Sequence, residues 1–156
     1  MKMKITLITL MVLFAIAIAC NKDKFQTKPT IKIKSINTDF VQLNQSLVIN
    51  LECTDKEGDV QDSVIIIKQR LNKRPTGTVR DTLRYTIPIF PFHDRTEITA
   101  TIEYQDILSA LNPLTIPGSN PPKKENDTLI LRLAVRDTAG HTSDTLNTKQ
   151  IIVFRQ

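Results

Sequence analysis

Residues 46–54 read Ser-Leu-Val-Ile-Asn-Leu-Glu-Cys-Thr, and their alternation decides the fold class. In an extended chain Leu47, Ile49, Leu51 and Cys53 face one way while Val48, Asn50 and Glu52 face the other, the period-two pattern of a half-buried strand. Working outward, residues 63–70 (SVIIIKQR) are β-branched and apolar, which fits a central strand. Residues 96–104 place Ile98, Ala100, Ile102 and Tyr104 on one face, and residues 128–136 do the same with Leu129, Leu131, Leu133 and Val135. Three further strands are expected at 31–36, at 80–89 (closed by Pro88 and Pro91, which cannot donate to a ladder) and at 145–154. One short helix is expected over 107–111, capped by Asp106 and stopped by Pro113.

Seven short strands with turn signals between them predict an all-β domain, a seven-stranded antiparallel β-sandwich over residues 31–156. Trp is absent and Cys53 is single after position 20, so an antibody-type Cys-Trp-Cys core is excluded. Two segments carry a resemblance. Cys53-Thr-Asp-Lys-Glu-Gly-Asp-Val60 and Leu133-Ala-Val-Arg-Asp-Thr-Ala-Gly140 resemble the strand ends of bacterial extracellular immunoglobulin-like modules of the cadherin or PKD kind. That resemblance implies an immunoglobulin-like architecture and names no partner.

The N-terminus gives an address. Lys2 and Lys4 precede an uncharged run from Ile5 to Ala19, too short for the roughly 20 apolar residues of a spanning helix. A basic start, an apolar stretch and small residues at its end form a cleavable export signal, residues 1–19. Ala17-Ile18-Ala19-Cys20 resembles the lipobox of bacterial lipoproteins, with Ala17 where that family usually has Leu. The resemblance implies a lipid on Cys20, and two or more acyl chains anchor stably where one does not. Residues 20–30 then form a tether. Asn21 is not the Asp that in many Gram-negative lipoproteins favours inner-membrane retention, so the expected location is the outer membrane, on its periplasmic or cell-surface face.

Composition narrows the function. The whole chain carries a net charge of +5, but Lys2 and Lys4 fall in the leader, leaving 19 basic against 16 acidic residues. That mild balance on an exported chain does not point to nucleic acid. Cys53 has no cysteine partner and alternates with apolar residues, so it reads as a buried small hydrophobe. His93 and His141 both fall in expected turns, and no Gly-x-Ser-x-Gly elbow, His-Glu-x-x-His pair or phosphate-cradling glycine loop occurs. The sequence therefore predicts no enzyme. It predicts a lipid-anchored module contacting an unknown protein or glycan, or alternatively a structural or accessory lipoprotein of an outer-membrane transporter or assembly.

Three sets of residues remain as candidate sites. Asp55, Glu57, Asp59 and Asp62 surround the turn after the second strand, and Asp137 and Asp144 flank the turn after the sixth. At one end of a sandwich these six carboxylates either form solvated turns or converge as oxygen ligands for Ca2+. The connection 105–127 is longer than ordinary structureless loops and presents Leu111, Leu114, Ile116, Lys123 and Lys124; it either caps the core or binds a partner. Finally, Ser63, Thr82, Thr128, Thr138 and Thr145 each follow Asp and precede an apolar residue. The pattern resembles the acceptor motif of a bacterial O-glycosylation system, and it equally describes a turn entering a strand.

Overall fold

The computed structural model describes residues 28–74, 76–77 and 79–156. The export signal, Cys20 and the tether up to residue 27 lie outside the described residues. Among the described residues nine strands and one short helix follow in order: β1 (Thr30–Ile36), β2 (Phe40–Val41), β3 (Leu47–Thr54), β4 (Ser63–Arg70), β5 (Thr82–Thr86), β6 (Arg95–Ile102), α1 (Tyr104–Ile107), β7 (Asp127–Arg136), β8 (Leu146–Asn147) and β9 (Ile151–Val153). One sheet has the order β1-β3-β6; the other has the order β2-β9-β7-β4-β5, with β8 also on β7.

Alternation explains how the two sheets meet. Leu47, Ile49, Leu51 and Cys53 of β3, with Ile98, Ala100 and Ile102 of β6, are buried on the inner face of the small sheet. Val64 and Ile66 of β4, Leu129, Leu131, Leu133 and Val135 of β7, and Ile151 and Val153 of β9 join them in one apolar cluster from the large sheet. Fully burying a Leu or Ile side chain contributes about 1.5–3 kcal/mol, so this shared cluster is the main source of stability.

The architecture corrects the expected fold. It is not a seven-stranded, wholly antiparallel immunoglobulin-like β-sandwich, and the likeness to cadherin and PKD modules does not hold. The larger sheet is mixed: β2 runs parallel to β9, with Phe40 opposite Ile152 and Val41 opposite Val153. Residues 145–154 do not form one strand either. The amide of buried Thr148 donates to the Leu131 carbonyl at 2.9 Å, while its Oγ1 accepts from the Leu131 amide at 3.0 Å. That irregularity splits the segment into β8 and β9. Tyr104 opens α1 instead of ending β6: the amides of Asp106 and Ile107 donate to the Glu103 carbonyl at 2.9 and 3.1 Å, and the Tyr104 hydroxyl donates to the Phe154 carbonyl at 2.6 Å.

Register places the ends of the molecule. Thr30 pairs with Thr54, and Thr54 in turn with Arg95. Ser63 pairs with Arg136 on the other sheet. The chain entry, the β3–β4 turn, the start of β6 and the turn after β7 therefore share one end. The 104–127 connection lies at the opposite end, where the Leu71 amide donates to the Thr128 carbonyl.

Candidate metal centre

The turn after β3 is built by Asp55 and Gly58. The Asp55 amide donates to the Asp94 carbonyl at 2.9 Å, and the Gly58 amide donates back to the Asp55 carbonyl at 3.2 Å. Gly58 adopts φ +68°, and a Cβ there would come within 3.1 Å of the His93 amide nitrogen. Left-handed backbone and close approach together require glycine. The chain so folded turns the Asp55 side chain inward, where it is only 2% exposed.

The turn after β7 brings the second part. The Asp137 carboxylate, 1% exposed, accepts from the His141 amide at 2.7 Å through Oδ1, and its Oδ2 lies 3.1 Å from His141 Nδ1. Thr138 locks the two turns together. Its hydroxyl donates to Asp59 Oδ2 at 2.6 Å and its amide to the Asp59 carbonyl at 3.1 Å. One carboxylate oxygen from each of Asp55, Asp59 and Asp137 then lies within 4.8 Å of the others.

Electrostatics single out this cluster. Asp55 Oδ2 and Asp59 Oδ1 are buried with no hydrogen-bond donor. Ionised carboxylates only accept, so two of them face to face need a proton or a cation between them. Burial, followed by the neighbouring carboxylates, pushes the Asp55 carboxyl above its ordinary value. The Thr138 hydroxyl holds Asp59 below its own. Three oxygen donors of this kind, without sulfur and with the histidine outside the set, make a cluster that can hold a hard metal ion.

Of the six acids singled out in the sequence, three converge and three do not. Glu57 is exposed. Asp62 lies 3.7 Å from the Arg136 guanidinium, and Asp144 pairs with Lys28. Turn chemistry signals carboxylates without fixing which way they point. Sequence reasoning missed Thr138 and His141 as members of the site; the signal was the hydroxyl after Asp137 and the histidine four residues on.

The long connection is organised. The Ile116 amide donates to the Lys123 carbonyl and the Glu125 amide to the Leu114 carbonyl, a small hairpin. On it Ile116 and Lys123 are exposed while Leu114 and Lys124 are half-buried; Leu111, just before it, is 62% exposed. Among the proposed acceptor hydroxyls, Thr82, Thr138 and Thr145 are exposed and Thr128 is half-buried. Ser63 departs from the others: it is 2% exposed, and its hydroxyl donates to Asp62 Oδ2 at 3.1 Å and accepts from the Arg84 guanidinium at 3.3 Å, so it is not accessible for modification in the folded chain.

This geometry also corrects the expected function. A non-enzymatic module contacting protein or glycan, or its alternative of an accessory lipoprotein, is expected from the absence of a nucleophile–base motif or phosphate loop and from carboxylate pairs read as solvated turn residues without a pocket. Asp55 and Asp137 are instead buried and converge with Asp59, so that premise fails and the non-catalytic assignment no longer stands.

No family model matches the chain, and no curated protein does. Among solved structures it is similar to a β-glucosidase from Listeria innocua in complex with gluconolactone, with 9% identity over 82% of this chain and a TM-score of 0.42. The glucose complex gives 10% identity over 82% of this chain and a TM-score of 0.37. This chain spans 16% of the length of either.

Proposed function

We propose that the domain binds Ca2+ through Asp55, Asp59 and Asp137, and that the ion is part of the folded state at the chain-entry end. The observation that carries this reading is the pair of donorless buried oxygens, Asp55 Oδ2 and Asp59 Oδ1, beside Asp137. A cation satisfies both at once and cancels their mutual repulsion. Calcium suits the set better than magnesium, because turns supply irregular geometry and Ca2+ accepts six to eight oxygens where Mg2+ demands a near-ideal octahedron. Three carboxylates supply part of that number and water the remainder. The export signal and Cys20 fit this reading, since a domain held outside the cytoplasm on a lipid meets calcium directly.

Thermal unfolding tests it. A ligand bound only by the native state at a hundredfold excess over its Kd adds about 2.7 kcal/mol. The melting temperature should rise by several degrees with Ca2+, less with Mg2+, and not at all in Asp59→Asn. Equal melting curves with Ca2+ and with chelator would overturn the proposal.

A further inference from the structure

The most exposed large apolar side chains among the described residues sit together on one turn. In Ile87-Pro-Ile-Phe-Pro-Phe-His93, Ile89 is 92% and Phe92 72% exposed. This turn is braced. Gln61 Nε2 donates to the Phe90 carbonyl at 2.7 Å, and Phe90 packs against the core. Gly58 leaves only the space of a missing Cβ beneath Phe92 and His93. Pro88 and Pro91 offer no amide to either sheet, so the segment stands outside them. Two apolar side chains are thus held into solvent on a fixed support, the opposite of what burial favours.

We propose that this turn docks the domain onto a lipid bilayer, with Ile89 and Phe92 as the inserted side chains. The chain's own course argues for that occupant. Thr30 pairs with Thr54 and Thr54 with Arg95, so the chain enters the domain beside this turn. Lys28, the first described residue, follows Cys20 by eight positions, which span at most about 28 Å. The apolar run 5–19 and Cys20 therefore bring this end, and not the 104–127 end, to the membrane. A second copy of the chain fits poorly. Two side chains offer about 300 Å2, far short of the roughly 800 Å2 per partner in a stable interface. Exposed charges of both signs share this end, Glu57 and Asp94 beside Lys56 and Arg95, and Asp144 pairs with Lys28, so no excess of basic charge draws anionic headgroups; insertion is apolar and suits a zwitterionic surface.

The chain has no tryptophan, so Phe92→Trp creates a single emitter. The full chain recovered from the membranes of producing cells is reconstituted into phosphatidylcholine vesicles with plain or brominated acyl chains. Insertion predicts blue-shifted emission and at least twofold quenching by the brominated lipid, while Leu111→Trp at the far end keeps solvent-like, unquenched emission. Adding Ile89→Asp to Phe92→Trp should abolish the quenching. Should Phe92→Trp fail to fold, Ile89→Trp carries the same test. Emission from the Phe92→Trp reporter that matches Leu111→Trp overturns the proposal. So does a blue shift without bromine quenching, which would mean that another copy or another segment of the chain covers the turn.

Discussion

Replacing Asp127 by Ala removes the centre of a buried polar network at the end of the domain opposite the acidic cluster. Asp127 is fully buried at the start of β7. Its Oδ2 accepts from the Ser109 amide at 2.8 Å and the Ala110 amide at 3.1 Å. The Arg70 and Arg155 guanidinium groups lie 3.8 and 3.7 Å away, on side chains that are 11% and 8% exposed. Alanine leaves two cations without their counter-ion and two buried amides without an acceptor. Breaking a buried pair from one side costs about 3–5 kcal/mol, and for a domain of this size that lowers the melting temperature by roughly 10–20 °C. Asp127→Asn keeps one acceptor for the amides and should cost less. Thermal and urea unfolding followed by circular dichroism measure both variants. An Asp127→Ala midpoint within about 1 kcal/mol of the parent, the spread of ordinary substitutions, would refute the reasoning.

Gly58→Ala should destabilise more than Gly118→Ala in the same melts: both have positive φ, worth about 1–2 kcal/mol, but only Gly58 has a backbone nitrogen within 3.1 Å of the new Cβ. Burial pushes the Cys53 thiol up to about 12 from 9.0, so it should resist alkylation at neutral pH until the chain unfolds. The raised value also sets a sign: the unfolded thiol ionises first, so stability should fall as pH rises from 9 toward 12. Burial lowers Lys68, which works in the opposite direction just below 10.5, so comparing the parent with Cys53→Ala across that range isolates the thiol. Cys20→Ala should abolish incorporation of labelled fatty acid into the chain; incorporation that persists would refute attachment at that residue.

How much was legible follows from what each segment asks of its neighbours. β3 and β4 obey a local rule, alternation or β-branched content, and fall at Leu47–Thr54 and Ser63–Arg70. β2 obeys no local rule: two residues, Phe40–Val41, become a strand because β9, more than a hundred positions later, offers a parallel edge. Charges at strand ends were the harder case. Arg70, Asp127 and Arg155 look like solvated boundary residues in sequence, and only the closure of the 104–127 connection buries them together. Lys68 belongs to the same closure, its Nζ donating to the carbonyls of Asp106 and Leu108, both at 2.6 Å. In the acidic cluster, residue types and turns were readable, whereas the choice of Asp55, Asp59 and Asp137 depends on side-chain direction. Arg136 and Lys28 draw Asp62 and Asp144 elsewhere.

The cation site is tested most directly by calorimetric titration of the metal-stripped chain with Ca2+. The geometry predicts one saturable site per chain, occupied in preference to Mg2+ and weakened at least tenfold by Asp55→Asn or Asp59→Asn. Asp62→Asn and Asp144→Asn, whose carboxylates pair with Arg136 and Lys28, should bind as the parent does. A titration without saturable heat at millimolar Ca2+, or one in which all four variants weaken equally, would contradict a metal centre built on Asp55, Asp59 and Asp137.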